Sequence, residues 1–134
     1  MIKIRIRKRL EIRGAVVVIL DDKNRVLILK RPTFTRWAPL KWAYPGGKIE
    51  KGETPLEAAV RETKEETNLD VSDLKDINLK LDNAVTAYYT RSYVGEVEID
   101  YEHTDWAWAS RDEIEKYDLA PGVLQTYDWV IKNG

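Results

Sequence analysis

A chain of 134 residues is the size of one ordinary domain and long enough to bury a real core. Its 43% hydrophobic and 34% charged residues exclude a disordered chain, and no apolar run is long enough to cross a membrane as a helix. A formal net charge of -1 gives no overall pull toward nucleic acid, and the absence of cysteine excludes disulfides and thiolate metal sites, in keeping with a reducing, cytoplasmic compartment.

At the N-terminus Ile2, Ile4 and Ile6 alternate with Lys3, Arg5 and Arg7, and Lys8 and Arg9 follow. The alternation predicts an outer strand with a solvated basic face, and it is unlike the apolar h-region of a secretory signal. The same charge would suit the approach of a polyphosphate or an RNA end. Residues 14–20 and 25–30 are β-rich runs around Asp21-Asp22-Lys23-Asn24 and read as a hairpin. Residues 31–41, with Pro32 and Pro39, read as a loop; 42–44 read as a short strand entering a Pro45-Gly46-Gly47 turn.

The next segment carries the densest chemistry. Thr54 is a good N-cap, Pro55 suits the first helical position, and Glu57 completes a capping box, so a helix starts at residue 55. At about 100° per residue, Leu56, Ala59, Val60 and Thr63 form one face suited to packing on a sheet, whereas Glu62, Glu65 and Glu66 crowd another. Three carboxylates so close repel one another unless solvent or a cation intervenes. Oxygen-only donors favour a hard cation, magnesium or manganese, over zinc, and the chain has a single histidine, His103. The glycine turn can bring backbone groups close to an anion or offer a carbonyl to the metal.

Beyond this helix, residues 77–81, 84–94, 97–101 and 105–109 have strand character. Ser110 and Glu113 form a second capping box that opens a short helix through about residue 117. Residues 121–132 predict a terminal helix with Leu124, Tyr127, Val130 and Ile131 inward. Strands before and after the main helix, with no linker or repeat, predict one domain over 1–134, an α/β mixed sheet flanked by helices.

The segment from Gly47 through Glu53, Arg61-Glu62 and Glu65-Glu66 to Leu69 resembles the Nudix box, and only Thr63 and Asn68 depart from it, standing where an aliphatic residue and a glycine are usual. Thr63 is expected to face the core and to bond its hydroxyl back to the preceding turn. Asn68 is the best substitute for glycine if the helix ends in a left-handed residue. The hairpin before the box and the Trp108-Ala109-Ser110 start of the second helix also look like that family. The resemblance implies the Nudix fold, an α/β/α sandwich, and a divalent-cation-dependent hydrolase that cuts a phosphoanhydride bond in a nucleoside diphosphate linked to another moiety.

By the same resemblance Glu62, Glu65 and Glu66 are metal ligands, joined by the Gly46 carbonyl, and Glu53 and Arg61 are a structural ion pair. A further carboxylate from a later loop is expected to act on the attacking water; Glu102 is the first choice, with Glu98, Glu96 and His103 as rivals. Trp37 and Trp106 are the tryptophans placed to stack on a nucleobase, while Trp42, Trp108 and Trp129 read as packing residues. The alternative function is a catalytically inactive nucleotide-binding regulatory module, against which the intact set of glutamates argues. An isoprenoid isomerase of the same fold is disfavoured because that chemistry uses a cysteine. The implied partner is a small nucleotide; capped RNA rests on the basic N-terminus alone, and a homodimer is frequent in the family.

Overall fold

Valine and isoleucine alternating along one strand divide the interior into two cores. In β1 (Gly14–Ile19), Ala15, Val17 and Ile19 face one way and Val18 the other. β2 (Val26–Lys30) repeats the pattern, with Leu27 and Leu29 in the first core and Val26 and Ile28 in the second. The structure, a computed structural model, describes residues 12–79 and 84–134. The strand expected over the basic N-terminus lies outside these residues.

Short strands β3 (Trp42–Ala43) and β4 (Gly46–Lys48) precede α1 (Pro55–Thr67); β5 (Asp70–Ser72), β6 (Lys75–Asp76), β7 (Val85–Thr90), β8 (Ser92–Val94) and β9 (Asp105–Ala109) follow it. The chain closes with α2 (Arg111–Ile114) and α3 (Val123–Asn133). One mixed sheet has the order β4-β1-β7-β6, with β1 and β7 parallel; an antiparallel sheet has the order β3-β2-β9, and β5 pairs with β8. Ala58, Ala59 and Leu69 cover the first core, and Ile114, Val123, Tyr127 and Val130 cover the second. Helices thus lie on both faces, giving the α/β/α sandwich. Each fully buried Val, Leu or Ile contributes about 1.5–3 kcal/mol of transfer free energy.

Several expected elements are differently placed. The 14–30 hairpin closes at Asp21, whose carboxylate accepts from the Lys23 and Arg25 amides at 3.0 and 2.8 Å, but beyond the Leu20–Val26 bridge its strands diverge into separate sheets. Gly46–Lys48 is a strand paired with β1 and not a turn. The 84–94 run breaks at Arg91, where the Thr90 hydroxyl accepts from the Ser92 amide at 3.0 Å. The strand expected over 77–81 runs into residues outside those described; among the described ones, pairing with β7 falls on Lys75–Asp76, with Ile77 adding one bond to Ala87. The second short helix ends at Ile114, and Ile131 on α3 is 47% exposed where an inward side chain is expected.

Of the face of α1 expected to pack, Ala59 and Thr63 are buried but Leu56 and Val60 are not. Leu56 and Val60 are 45% and 37% exposed, while Ala58, Ala59, Thr63 and Thr67 are fully buried. Small side chains let the helix lie close to β1 and β4, which bulky ones would prevent. The Thr63 hydroxyl does not bond back to the preceding turn: it is buried without a hydrogen-bond partner, and the Thr67 hydroxyl donates to the Thr63 carbonyl at 2.6 Å. Thr63→Val, nearly the same shape, should therefore raise stability by about 1 kcal/mol, read as a higher Tm in a thermal melt. A lower Tm would show that the hydroxyl has a use in the fold.

At the other end of α1, Asn68 sits at φ 67° and ψ 6°, the left-handed cap, with its amide donating to the Lys64 carbonyl at 2.9 Å and its side chain to the Glu96 carbonyl at 3.2 Å. Asn68→Gly removes the conformational cost but also that side-chain bond, so its stability should stay near wild type. Asn68→Val should cost on the order of 1 kcal/mol or more, because a β-branched residue is strained there. Equal melting temperatures for the two variants would contradict this account.

Candidate active site

The close approach of α1 to β4 puts glutamates against glycines. A Cβ on Gly47 would lie 2.5 Å from the Glu62 carboxyl carbon, so only glycine leaves room for that carboxylate beside the strand. A Cβ on Gly46 would meet the Ala15 carbonyl oxygen at 2.3 Å, so this glycine permits the tight pairing with β1. The Gly46 amide donates to Glu66 Oε1 at 2.8 Å.

Arg61 holds the edge of this arrangement. Its guanidinium donates from Nε to Glu53 Oε2 at 2.7 Å and from the second terminal nitrogen to Glu53 Oε1 at 2.9 Å, a bidentate pair. It also donates to the Lys48 carbonyl at 3.0 Å and to Glu62 Oε1 at 2.9 Å. Loop, strand and helix meet at one cation. The Arg61 bonds, aided by the Glu50 amide, hold the Glu53 carboxyl down to about 2, and Arg61 is itself shifted up by its carboxylate partners.

Glu66 is only 8% exposed, and burial, reinforced by nearby Glu62 and Asp100, pushes its carboxyl up to about 8 against the opposing pull of the Gly46 amide. Burial likewise raises Glu62, against the Arg61 bonds that lower it. Among the described residues no cationic side chain forms an ion pair with Glu66. Glu62 and Glu66 line a cleft of about 240 Å³ with Gly46, Gly47, Arg31, Glu102 and His103. Glu65 does not line it; that side chain is 56% exposed and lies 3.3 Å from Arg61.

A second cavity, about 290 Å³, adjoins the first and shares Arg31, Gly46 and Gly47 with it. Its walls are mostly apolar, including Trp37, Ile77, Leu79 and Val123. The hydroxyls of Tyr44 and Thr126 there donate to the Val123 and Gly122 carbonyls at 2.8 and 2.6 Å, so both are used within the fold. Arg31 lies 5.0 Å from the Trp37 ring centre and donates to the Trp37 carbonyl at 2.9 Å; burial lowers its pKa. Trp106, paired with Leu29 on β9 and 39% exposed, lines neither cavity.

The expected strand over 97–101 is a loop whose bonds go to the end of α1: the Glu98 amide donates to the Thr67 carbonyl at 2.9 Å and the Asp100 amide to the Glu66 carbonyl at 3.3 Å. Those carbonyls are unpaired within a helix terminus, and the loop satisfies them. The loop delivers Glu102 to the cleft and leaves Glu96 and Glu98 exposed outside it. It also brings Asp100 beside Glu66 and His103. Sequence reasoning missed Asp100 and Arg31; the Asp-x-x-His spacing and an arginine directly after a buried strand were the available signals.

A family model for the NUDIX domain matches residues 11–130. An 8-oxo-dGTP diphosphatase of Proteus vulgaris is 42% identical over 66 residues, covering 49% of this chain and 56% of that protein. The chain thus aligns with little more than half of that relative. A CTP pyrophosphohydrolase of Escherichia coli is 27% identical over 116 residues, covering 81% of this chain and 84% of the relative. Among solved structures, a MutT protein from Methanosarcina mazei superposes with a TM-score of 0.71 at 26% identity, over 94% of this chain and 97% of that one.

Proposed function

The chain belongs to the Nudix hydrolase family, and on that premise we propose that it hydrolyses a phosphoanhydride bond in a nucleoside triphosphate or another nucleoside diphosphate derivative, with a divalent cation in the Glu62–Glu66 cleft. The observation that carries this reading is Glu66, a nine-tenths buried carboxylate with a backbone amide on one oxygen and no ion-pair partner among the described residues. Such a group is costly in its charged form unless a cation joins it, and nearby Glu62 and Asp100 add negative charge that fits a hard dication. Magnesium or manganese, with Gly46, Glu62 and Glu66 as the holding residues and Glu65 at the rim, would polarise phosphoryl oxygens and lower the pKa of a bound water.

The remaining steps belong to side chains of the chain. Glu102, which reaches the cleft from outside α1, takes the proton of the attacking water. Arg31, between the two cavities, offsets charge on the polyphosphate chain. The apolar cavity receives the nucleoside, with Trp37 as a stacking wall and with shape doing more of the selection than hydrogen bonds. Trp106 takes no part in this arrangement.

A nucleotide panel tests the reading. Nucleoside triphosphates, dinucleoside polyphosphates, ADP-ribose, NAD-type dinucleotides and capped RNA are incubated with and without magnesium or manganese, and the products are identified. The expected result is cation-dependent release of a nucleotide and a phosphate-containing fragment from a nucleoside triphosphate. No cation-dependent cleavage of any member of the panel would overturn the proposal.

A further inference from the structure

His103 stands apart from the carboxylates that make up the rest of the cleft. Its side chain is only 7% exposed, and Nδ1 lies 2.6 Å from Asp100 Oδ1. Glu66, Asp100 and His103 each offer a ligand atom, and the three atoms lie within 4.8 Å of one another. The contact with Asp100 occupies Nδ1; when that nitrogen carries the proton, the lone pair rests on Nε2, the tautomer that a metal ligand needs. The Asp100 amide bond to the Glu66 carbonyl at 3.3 Å and the His103 amide bond to the Asp100 carbonyl at 3.4 Å fix the spacing of the three side chains through the backbone.

We propose that His103, oriented by Asp100, is a nitrogen ligand to the dication held by Glu66, and that it gives this chain a preference for a transition-metal dication such as manganese over magnesium. The inference rests on reading the cleft as a metal site. Its independent support is Glu66 itself, nine-tenths buried, with one oxygen on the Gly46 amide and without an ion-pair partner among the described residues. Magnesium demands oxygen donors and keeps its waters, whereas imidazole binds transition metals well. A carboxylate on the far ring nitrogen makes imidazole a stronger donor.

Pulsed electron paramagnetic resonance on the whole chain loaded with manganese tests this directly, because a coordinated imidazole imprints nitrogen hyperfine modulation on the echo. The wild type should show it, and His103→Gln should bind manganese without it. Manganese affinity should fall at least about tenfold in His103→Gln and by roughly ten- to a hundredfold in Asp100→Asn, while magnesium affinity, read by competition, should change less. Bound manganese with no nitrogen modulation in the wild type would overturn the inference, whether or not the variants fold. So would modulation that persists in His103→Gln, or equal losses for both metals. Cation-dependent hydrolysis together with a nitrogen-free manganese spectrum would remove this inference alone; failure of the wild type to bind manganese would remove the metal-site reading as well.

Discussion

Glu66→Gln and Glu62→Gln should each lower turnover by at least about a hundredfold with the fold intact, whereas Glu65→Gln should be milder. Glu66 and Glu62 are the α1 carboxylates that line the cleft, and Glu65 faces solvent beside Arg61. A glutamine keeps shape and one carbonyl oxygen but supplies no charge to a cation. The same carboxylate sets a pH dependence that needs no substrate. Because the folded-state Glu66 carboxyl is raised to about 8, the metal-free fold binds a proton that the unfolded chain has already released. Its stabilisation by protonation is complete below the ordinary carboxylate pKa and is lost as pH rises to about 8, so the metal-free Tm should fall across that window. Added magnesium or manganese should raise Tm more at pH 8 than at pH 5, and Glu66→Gln should flatten both trends. Near-normal turnover of Glu66→Gln and Glu62→Gln at saturating cation, or a metal-induced rise in Tm that survives Glu66→Gln, would remove these two residues from the metal site.

Glu102→Gln should cut turnover by roughly a hundred- to ten-thousandfold while KM stays near wild type, because loss of a base acts on the transition state and not on substrate binding. Glu102 lines the cleft from the loop that crosses the end of α1, and its carboxylate accepts one long hydrogen bond, 3.4 Å, from the exposed Tyr101 hydroxyl. Glu96 and Glu98 are exposed and do not line the cleft, so Glu96→Gln and Glu98→Gln should turn over normally. A steady-state comparison of the three variants decides the matter. Normal turnover for Glu102→Gln, or a large loss for Glu98→Gln, would move the base elsewhere.

What could be read from the sequence was local chemistry. The capping boxes at Thr54 and Ser110, the left-handed Asn68 and the strand character of 14–20 and 25–30 depend on neighbours within a few residues, and each appears in the structure where the sequence put it. The loop over 95–104 could not be read that way. Its alternating Val97 and Ile99 look like a strand, but its amides are taken by carbonyls at the end of a helix about thirty residues earlier in the chain. Asp100 was missed for the same reason, since only that long-range docking sets it against Glu66. The packing face of α1 was half legible: Ala59 and Thr63 are buried as expected, whereas the bulkier Leu56 and Val60 are exposed and Ala58 and Thr67 take their place, because a close approach to the sheet selects small side chains. Trp106 was chosen for its neighbour in the sequence; in β9 it lies opposite Leu29 and lines neither cavity.

The two cavities share Arg31, Gly46 and Gly47 and are otherwise built from different residues. Leu79 from the segment after β6, Ala87 from β7, and Val123 and Thr126 from α3 line the apolar side, and none of these segments contributes a cleft carboxylate. Selection for a new substrate can therefore work on one wall while the other stays fixed. A library randomised at those four positions should yield altered nucleoside preference with hydrolytic competence kept, whereas the shared glycines leave almost no room for change. On the proposed reading the molecule is modular below the level of the domain, a reaction centre and a recognition chamber hinged on a three-residue seam.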